Sequence, residues 1–153
     1  MEIEITESLV GSGSDDLLCW LGEFHLAGFQ IAIDDFGTGT STLARLRDIP
    51  ARKIKLDRAF VTPLPNDEGA CTVCRTALDM VHGLGKISLA EGVENTMQLS
   101  YLDSLGCSMG QGFLWARPMA EMNIIGWWPT AGRDPNWRGR RNETLERSCV
   151  LSN

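Results

Sequence analysis

Short apolar runs recur along this chain, and each gives way within a residue or two to a carboxylate, a lysine or a glutamine. Glu2–Thr6 (EIEIT) carries Glu4 and leads into Glu7. Phe29–Ile33 (FQIAI) is followed at once by Asp34 and Asp35. Ile54–Leu56 encloses Lys55 and leads to Asp57, Ile87–Ala90 stops at Glu91 with Glu94 just beyond, and a last run between Ser108 and Leu114 holds Gln111. Runs of this length and composition read as strands. Between them lie segments of helical period. One is capped by Asp15 or Asp16, carries Leu17, Leu18, Leu21 and Phe24, and ends near Gly28. A second, capped by Ser41 or Thr42, carries Leu43 and Leu46 and stops at Pro50. Cys71–Leu84 is the clearest, with Val73, Ala77, Val81 and Leu84 expected as its buried stripe, and Thr96–Leu105 repeats Leu99, Leu102 and Leu105. Val10–Ser14 and Pro63–Gly69 read as loops, and a short helix is expected after Pro118. Near-continuous apolar strands alternating with helices mean parallel β with crossover helices. The expected class is therefore α/β, with about five parallel strands.

In a parallel sheet or barrel all strand ends lie on one face, where α/β enzymes assemble their chemistry. Glu4, Glu7, Asp34, Asp35, Lys55, Asp57, Glu91, Glu94 and Gln111 all fall at or near such ends. Carboxylates converging there repel one another unless a lysine or divalent cations neutralise them. Hard oxygen ligands favour Mg²⁺ or Mn²⁺ over zinc. Asp34 and Asp35 are placed to hold or bridge two ions, and a two-metal site suits in-line phosphoryl displacement. Each residue has a plainer reading: Glu7 as a helix cap, Asp34-Asp35 and Glu91-Gly92 as turns, Lys55 as a surface lysine. The repetition at five successive strand ends favours a site. Gly37-Thr38-Gly39 lacks the Gly-Lys-Ser/Thr ending of a phosphate loop.

At 153 residues the length suits one domain. The net charge of −6 divides unevenly, with an Arg-rich 129–153 at +2 and the rest at −8. An acidic body argues against a DNA or RNA partner, which needs a basic stripe. No apolar run approaches the ~18 residues of a membrane span. Five scattered cysteines, without a recognisable signal segment, read as free thiols in a reducing, cytoplasmic setting. Cys71 and Cys74 have no partner pair for zinc and read as core cysteines.

EIEITES (2–8), IAIDDFGTGTSTLARL (31–46), IKLDRAFV (54–61), LAEGVEN (89–95) and GCSMGQGFLWARP (106–118) together resemble the EAL-domain family, the cyclic-di-GMP phosphodiesterases of bacterial signalling. The likeness spans about 1–122 in the family's order. It implies a partial (β/α)8 TIM-type barrel, since a complete one runs to about 250 residues. Residues 1–128 are then a truncated EAL domain, its C-terminal part, and 129–153 a polar tail, with a short helix near Glu143–Val150. The resemblance implies Glu4, Asp34 and Asp35 as metal ligands, and Glu7 as the residue that steadies the DDFGTG loop. It implies Lys55, Glu91 and Gln111 as the catalytic group around the attacking water and phosphate. Thr40 stands where the family has tyrosine. The Glu-Ala-Leu motif, its phosphate-gripping arginine and a metal-site asparagine are not among these residues. The expected activity is Mg²⁺- or Mn²⁺-dependent hydrolysis of cyclic di-GMP to pGpG, weak or absent in this chain alone. The alternative is a non-catalytic homodimer that covers its open barrel edge and binds cyclic di-GMP or serves as an interaction module.

Overall fold

The computed structural model describes residues 1–12, 14–39 and 42–131. Five strands, β1 (Glu2–Thr6), β2 (Gln30–Phe36), β3 (Lys53–Leu56), β4 (Ile87–Ala90) and β5 (Met109–Gly110), form one sheet in sequential order. Every pairing is parallel. Helices α1 (Glu7–Ser12) and α2 (Asp15–Leu26) join β1 to β2, and α3 (Leu43–Asp48) joins β2 to β3. Helices α4 (Arg58–Val61) and α5 (Glu68–Gly83) join β3 to β4, α6 (Thr96–Ser104) joins β4 to β5, and α7 (Glu121–Ala131) follows. Sequential parallel order with helical crossovers is the winding of a (β/α)8 barrel. The sheet is open: among the described residues β1 pairs only with β2, and β5 only with β4. The expectation of a partial barrel with five parallel strands therefore holds.

Alternation along the strands separates two faces. Ile5, Ile33 and Ile54 are in register and point towards the helices, with Ile31 and Leu56 on the same side. Ile31, Ile33, Ile54 and Leu56 have no solvent exposure and pack with Leu46, Val61, Leu78 and Val81 into the core. The opposite face carries Glu2, Glu4, Ala32, Lys53, Lys55 and Leu89, the side that becomes the interior when such a sheet curls.

Several boundaries differ from the sequence expectation. Val10–Ser14 is not all loop: α1 occupies Glu7–Ser12, because burying Val10 against the sheet overrides the weak helix propensity of Gly11 and Ser12. Ser14, rather than Asp15 or Asp16, is the N-cap of α2, whereas Thr42 caps α3 as expected and accepts from the Arg45 N–H. The buried stripe of α5 is Cys74, Ala77, Leu78 and Val81; Val73 is exposed. Helix α5 also begins inside the expected loop, with Asp67 accepting from the Ala70 N–H. Residues 58–61, to which the sequence assigned no element, form the single-turn helix α4. Cys74 is buried and Cys71 half-buried, and the four described cysteines are free. Among the described residues no helix is long and apolar enough to cross a membrane. Helix α7 runs through Pro129, whereas the Arg-rich stretch from 132 onwards, including the short helix expected near 143–150, lies outside the described residues.

Gly22 sits in the middle of α2, and a Cβ there would meet nothing within 4 Å. A glycine inside a helix gives up about 0.5–1 kcal/mol relative to alanine. Gly22→Ala is expected to raise the stability by that amount in urea titration.

Candidate functional site

Lys55 anchors the acidic end of the sheet. It lies in the buried strand β3, where every residue is below one-tenth exposed. Its side chain stands on the open face because Ile54 and Leu56 take the helix side. The Lys55 Nζ donates to Glu4 Oε1 on β1 at 3.0 Å, to Asp34 Oδ1 on β2 at 2.9 Å and to Glu91 Oε1 after β4 at 2.9 Å. Burial alone would lower the lysine's affinity for its proton, but the hydrogen bonds it donates to the three carboxylates outweigh it and raise its pKa. Burial pushes the Glu91 carboxyl up, only partly opposed by Lys55, while Asp34 and Glu4 push it the same way.

Asp34, Asp35 and Glu91 form a second, overlapping group. Each offers a carboxylate oxygen, and the three oxygens lie within 4.8 Å of one another. Consecutive residues of a regular strand point to opposite faces. The register here slips: Ile33 faces Ile54, yet Phe36 faces Leu56, so β2 carries one residue more than β3. Asp35 takes up the slack with a φ of 53°. This bulge turns both aspartates towards Glu91, the re-aiming for which bulges are used beside active sites. Three converging hard-oxygen donors fit a divalent cation such as Mg²⁺ or Mn²⁺. Glu4 is kept with the group through Lys55 rather than within the closest carboxylate set.

Glu7, first residue of α1, is buried and reaches the loop after β2. Its Oε2 accepts the Gly37 N–H at 2.7 Å and the Gly39 N–H at 3.0 Å. Two amides on one carboxylate fix the turn that follows the aspartates. Gly37 has a φ of 104°, and a Cβ there would collide with the Phe60 ring. Bonds to a charged acceptor are worth about 1.5–3 kcal/mol each when buried, and less where water replaces them, as at exposed Gly37. Glu7→Ala is expected to cost about 1–2 kcal/mol and to speed amide exchange at Gly37 and Gly39, with Glu7→Gln intermediate.

Gln111 follows β5 directly. Its N–H donates to the Ala90 carbonyl at 2.9 Å and its carbonyl accepts the Val93 N–H at 3.0 Å, so its backbone borders the Glu91 loop. Glu94 is exposed, and Asp57 accepts the Ala59 N–H as the cap of α4.

Two features escaped the sequence reading. Lys53 donates to both Glu2 oxygens, at 2.9 and 2.8 Å, repeating the Lys55–Glu4 pairing one layer further from the strand ends. The two-residue spacing of Glu2–Glu4 and Lys53–Lys55 was its visible signal. Gln98 is the other. Its signal was Asn95-x-x-Gln98, the spacing of a capping box, which the structure contains.

Parallel strands wound by helices, with acids and a lysine gathered where the strands end, define a barrel-type α/β domain with a carboxylate centre. Residues 1–118 match the EAL-domain model. The cyclic di-GMP phosphodiesterase RocR of Pseudomonas aeruginosa is 39% identical over 122 residues, covering 80% of this chain and 31% of RocR. The bifunctional diguanylate cyclase/cyclic di-GMP phosphodiesterase MucR of the same organism is 38% identical over 123 residues, covering 80% of this chain and 18% of MucR. Among solved structures, the PaMucR phosphodiesterase in complex with c-di-GMP superposes with a TM-score of 0.76 at 36% identity, over 80% of this chain and 50% of that one. The EAL domain of Mycobacterium smegmatis DcpA gives 0.77 at 34% identity, over 85% and 58%. A manganese/cy-diGMP complex of Klebsiella pneumoniae BlrP1 gives 0.69 at 34% identity, over 76% and 30%. This chain belongs to the EAL-domain family. It spans about half the length of the first two solved structures and a third or less of these two curated relatives, so it is part of the domain they contain.

Proposed function

We propose that this chain is the C-terminal part of a divalent-metal-dependent phosphodiesterase domain whose reaction is hydrolysis of one phosphodiester bond of cyclic di-GMP to give pGpG. The observation that carries the reading is the convergence of Asp34, Asp35 and Glu91 oxygens within 4.8 Å of one another beside the Lys55 ammonium. Asp34 and Asp35 would hold Mg²⁺ or Mn²⁺, with Glu4 joining them when Lys55 releases it. Such an ion supplies Lewis acidity and lowers the pKa of bound water. Lys55 orients Glu91 and Asp34 and offers a cation to phosphate oxygen. Glu91, whose affinity for protons is raised by burial, is the candidate to take a proton from the attacking water or to join the metal set. Glu7 keeps the Gly37–Gly39 turn from drifting off the aspartates. Gln111, beside the Glu91 loop, is assigned to the water and substrate side of the site. Free thiols, including exposed Cys19, suit the cytoplasm, where we place the reaction.

These 153 residues hold neither the Glu-Ala-Leu segment nor its arginine. Groups that act together in catalysis are lost together, so turnover by this chain alone should fall far below the usual ~1–10³ s⁻¹. Purified chain with Mn²⁺ and cyclic di-GMP, followed by chromatography for pGpG, tests this. An ordinary enzymatic rate would overturn the prediction of weak activity, and failure to bind Mn²⁺ would overturn the site assignment.

A second reading draws on the open sheet. The outer edges of β1 and β5 have no strand partner among the described residues, and Trp20 on α2 is 62% exposed. Unpaired edges and apolar surface favour self-association, here as a homodimer that binds cyclic di-GMP without cleaving it. Light scattering at micromolar concentration that returns only monomer mass would exclude it.

A further inference from the structure

We infer that Gln98 is a positioning residue for the carboxylate centre: it clamps the loop that carries Glu91 to the helix that follows Lys55. The inference rests on the metal-site reading given above. Gln98 is on the first turn of α6, 5% exposed, and none of its polar groups is idle. Its Oε1 accepts the Glu94 N–H at 2.8 Å and the Asn95 N–H at 3.2 Å. Its Nε2 donates to the Val61 carbonyl at 3.2 Å and to the Thr62 carbonyl at 3.4 Å, across more than 35 residues of sequence.

A capping box accounts for only one of these bonds, that from the Asn95 N–H. The other three join two segments that both belong to the site. Residues 91–95 form a loop with Glu91 at its head. The one-turn helix α4 starts two residues after the Lys55–Leu56 pair and ends at Val61, so Gln98 reaches its C-terminal end, sharing the Val61 carbonyl with the Leu64 N–H and meeting the Thr62 carbonyl just past it. The far end of α4 meets the same loop. Gly92 has a φ of 71°, and a Cβ there would stand 2.7 Å from Arg58 Cβ. The loop is thus held to α4 at two points: through Gly92 on Arg58, and through Gln98 on Val61 and Thr62. The Glu91 N–H also donates to the Leu56 carbonyl at 3.1 Å. These ties fix the separation of Glu91 from β3, and with it the 2.9 Å contact to Lys55 and the approach to Asp34 and Asp35. Groups that support metal ligands without touching the metal typically contribute tenfold to a hundredfold in affinity.

Three variants of the 153-residue chain separate the possibilities, read by Mn²⁺ titration with electron paramagnetic resonance and by amide exchange. Gln98→Met removes both halves of the clamp. It is expected to weaken Mn²⁺ binding about tenfold or more and to deprotect the Glu94 and Asn95 amides. Gln98→Glu keeps the acceptor and loses the donor. It should protect those two amides while still weakening Mn²⁺, because the tie to Val61 and Thr62 is broken. Leu102→Ala disturbs the same helix on its buried side and should leave Mn²⁺ affinity within twofold of the parent. Parental Mn²⁺ affinity in Gln98→Met, or an equal loss in Leu102→Ala, overturns the positioning role. If the parent chain itself binds no Mn²⁺, the metal-site reading fails instead, and the amide exchange still reports whether Gln98 holds the loop.

Discussion

Replacing Lys55 by alanine should destabilise the fold more than any other change of a charged residue considered above. The variant leaves Glu4, Asp34 and Glu91 facing one another with their shared cation gone. Breaking a buried ion pair by removing one partner costs about 3–5 kcal/mol. Glu4 is over a third exposed, so water screens part of this, and about 2–3 kcal/mol is expected at neutral pH by urea titration. The deficit should respond to two other variables. Mn²⁺ should restore part of the loss by supplying the missing positive charge. Lowering the pH into the carboxylate range should shrink the difference from the parent, because protonated acids no longer repel. For the parent chain the sign is set by the raised Lys55 pKa. Its contribution is fully present below the ordinary lysine value of 10.5 and is lost as pH climbs past it. A Lys55→Ala chain with the parent's urea midpoint, or one indifferent to Mn²⁺, would show that the carboxylates do not depend on this lysine.

Gly112→Ala should be at least as costly, for a different reason. A Cβ on Gly112 would land on the backbone N and O of Val93. No side chain can swing aside, because the obstruction is main chain. That main chain is itself locked: the Val93 N–H donates to the Gln111 carbonyl at 3.0 Å, and the Leu114 N–H to the Val93 carbonyl at 3.0 Å. Overpacking typically costs 1–3 kcal/mol where neighbours can shift. With backbone on the receiving side, about 3 kcal/mol or more is expected, together with faster exchange of the Val93 and Leu114 amides. A midpoint within error of the parent would mean that the two loops separate easily. Gly22→Ala gives the opposite sign at a site with open space, so the pair controls for glycine chemistry as such.

Strand position was the part of the fold most plainly written in the residues. Ile87–Ala90 is a strand of just those residues, and Glu2–Thr6 likewise. Each is a short apolar or alternating run ended by an acid, and its helix-facing residues, Ile5 on β1 and Ser88 and Ala90 on β4, are buried. The boundaries that moved are those where a tertiary contact decides. Val10 draws residues 7–12 into a helix, and β2 extends three residues past Ile33 because its bulge keeps it paired with β3 as far as Phe36. On α5 the stripe kept Ala77 and Val81 but gained Cys74 and Leu78 in place of Val73.

The sequence by itself determined the class of the protein, because alternating apolar strands and helices allow little besides a parallel sheet, and a carboxylate, lysine or glutamine at each strand end marks the working face. It also named Lys55, Glu4, Asp34 and Glu91, since a side chain's place along a strand fixes the end at which it emerges. Only the tertiary structure decided which of them meet. One lysine gathers acids from three different segments, and a slipped register turns neighbouring aspartates to one side, where a regular strand would part them. Gln98 was legible as a helix cap, but its second pair of hydrogen bonds spans a distance in sequence that no local pattern records. Contacts of that kind follow from packing α4 against the Glu91 loop, and packing is a property of the folded chain.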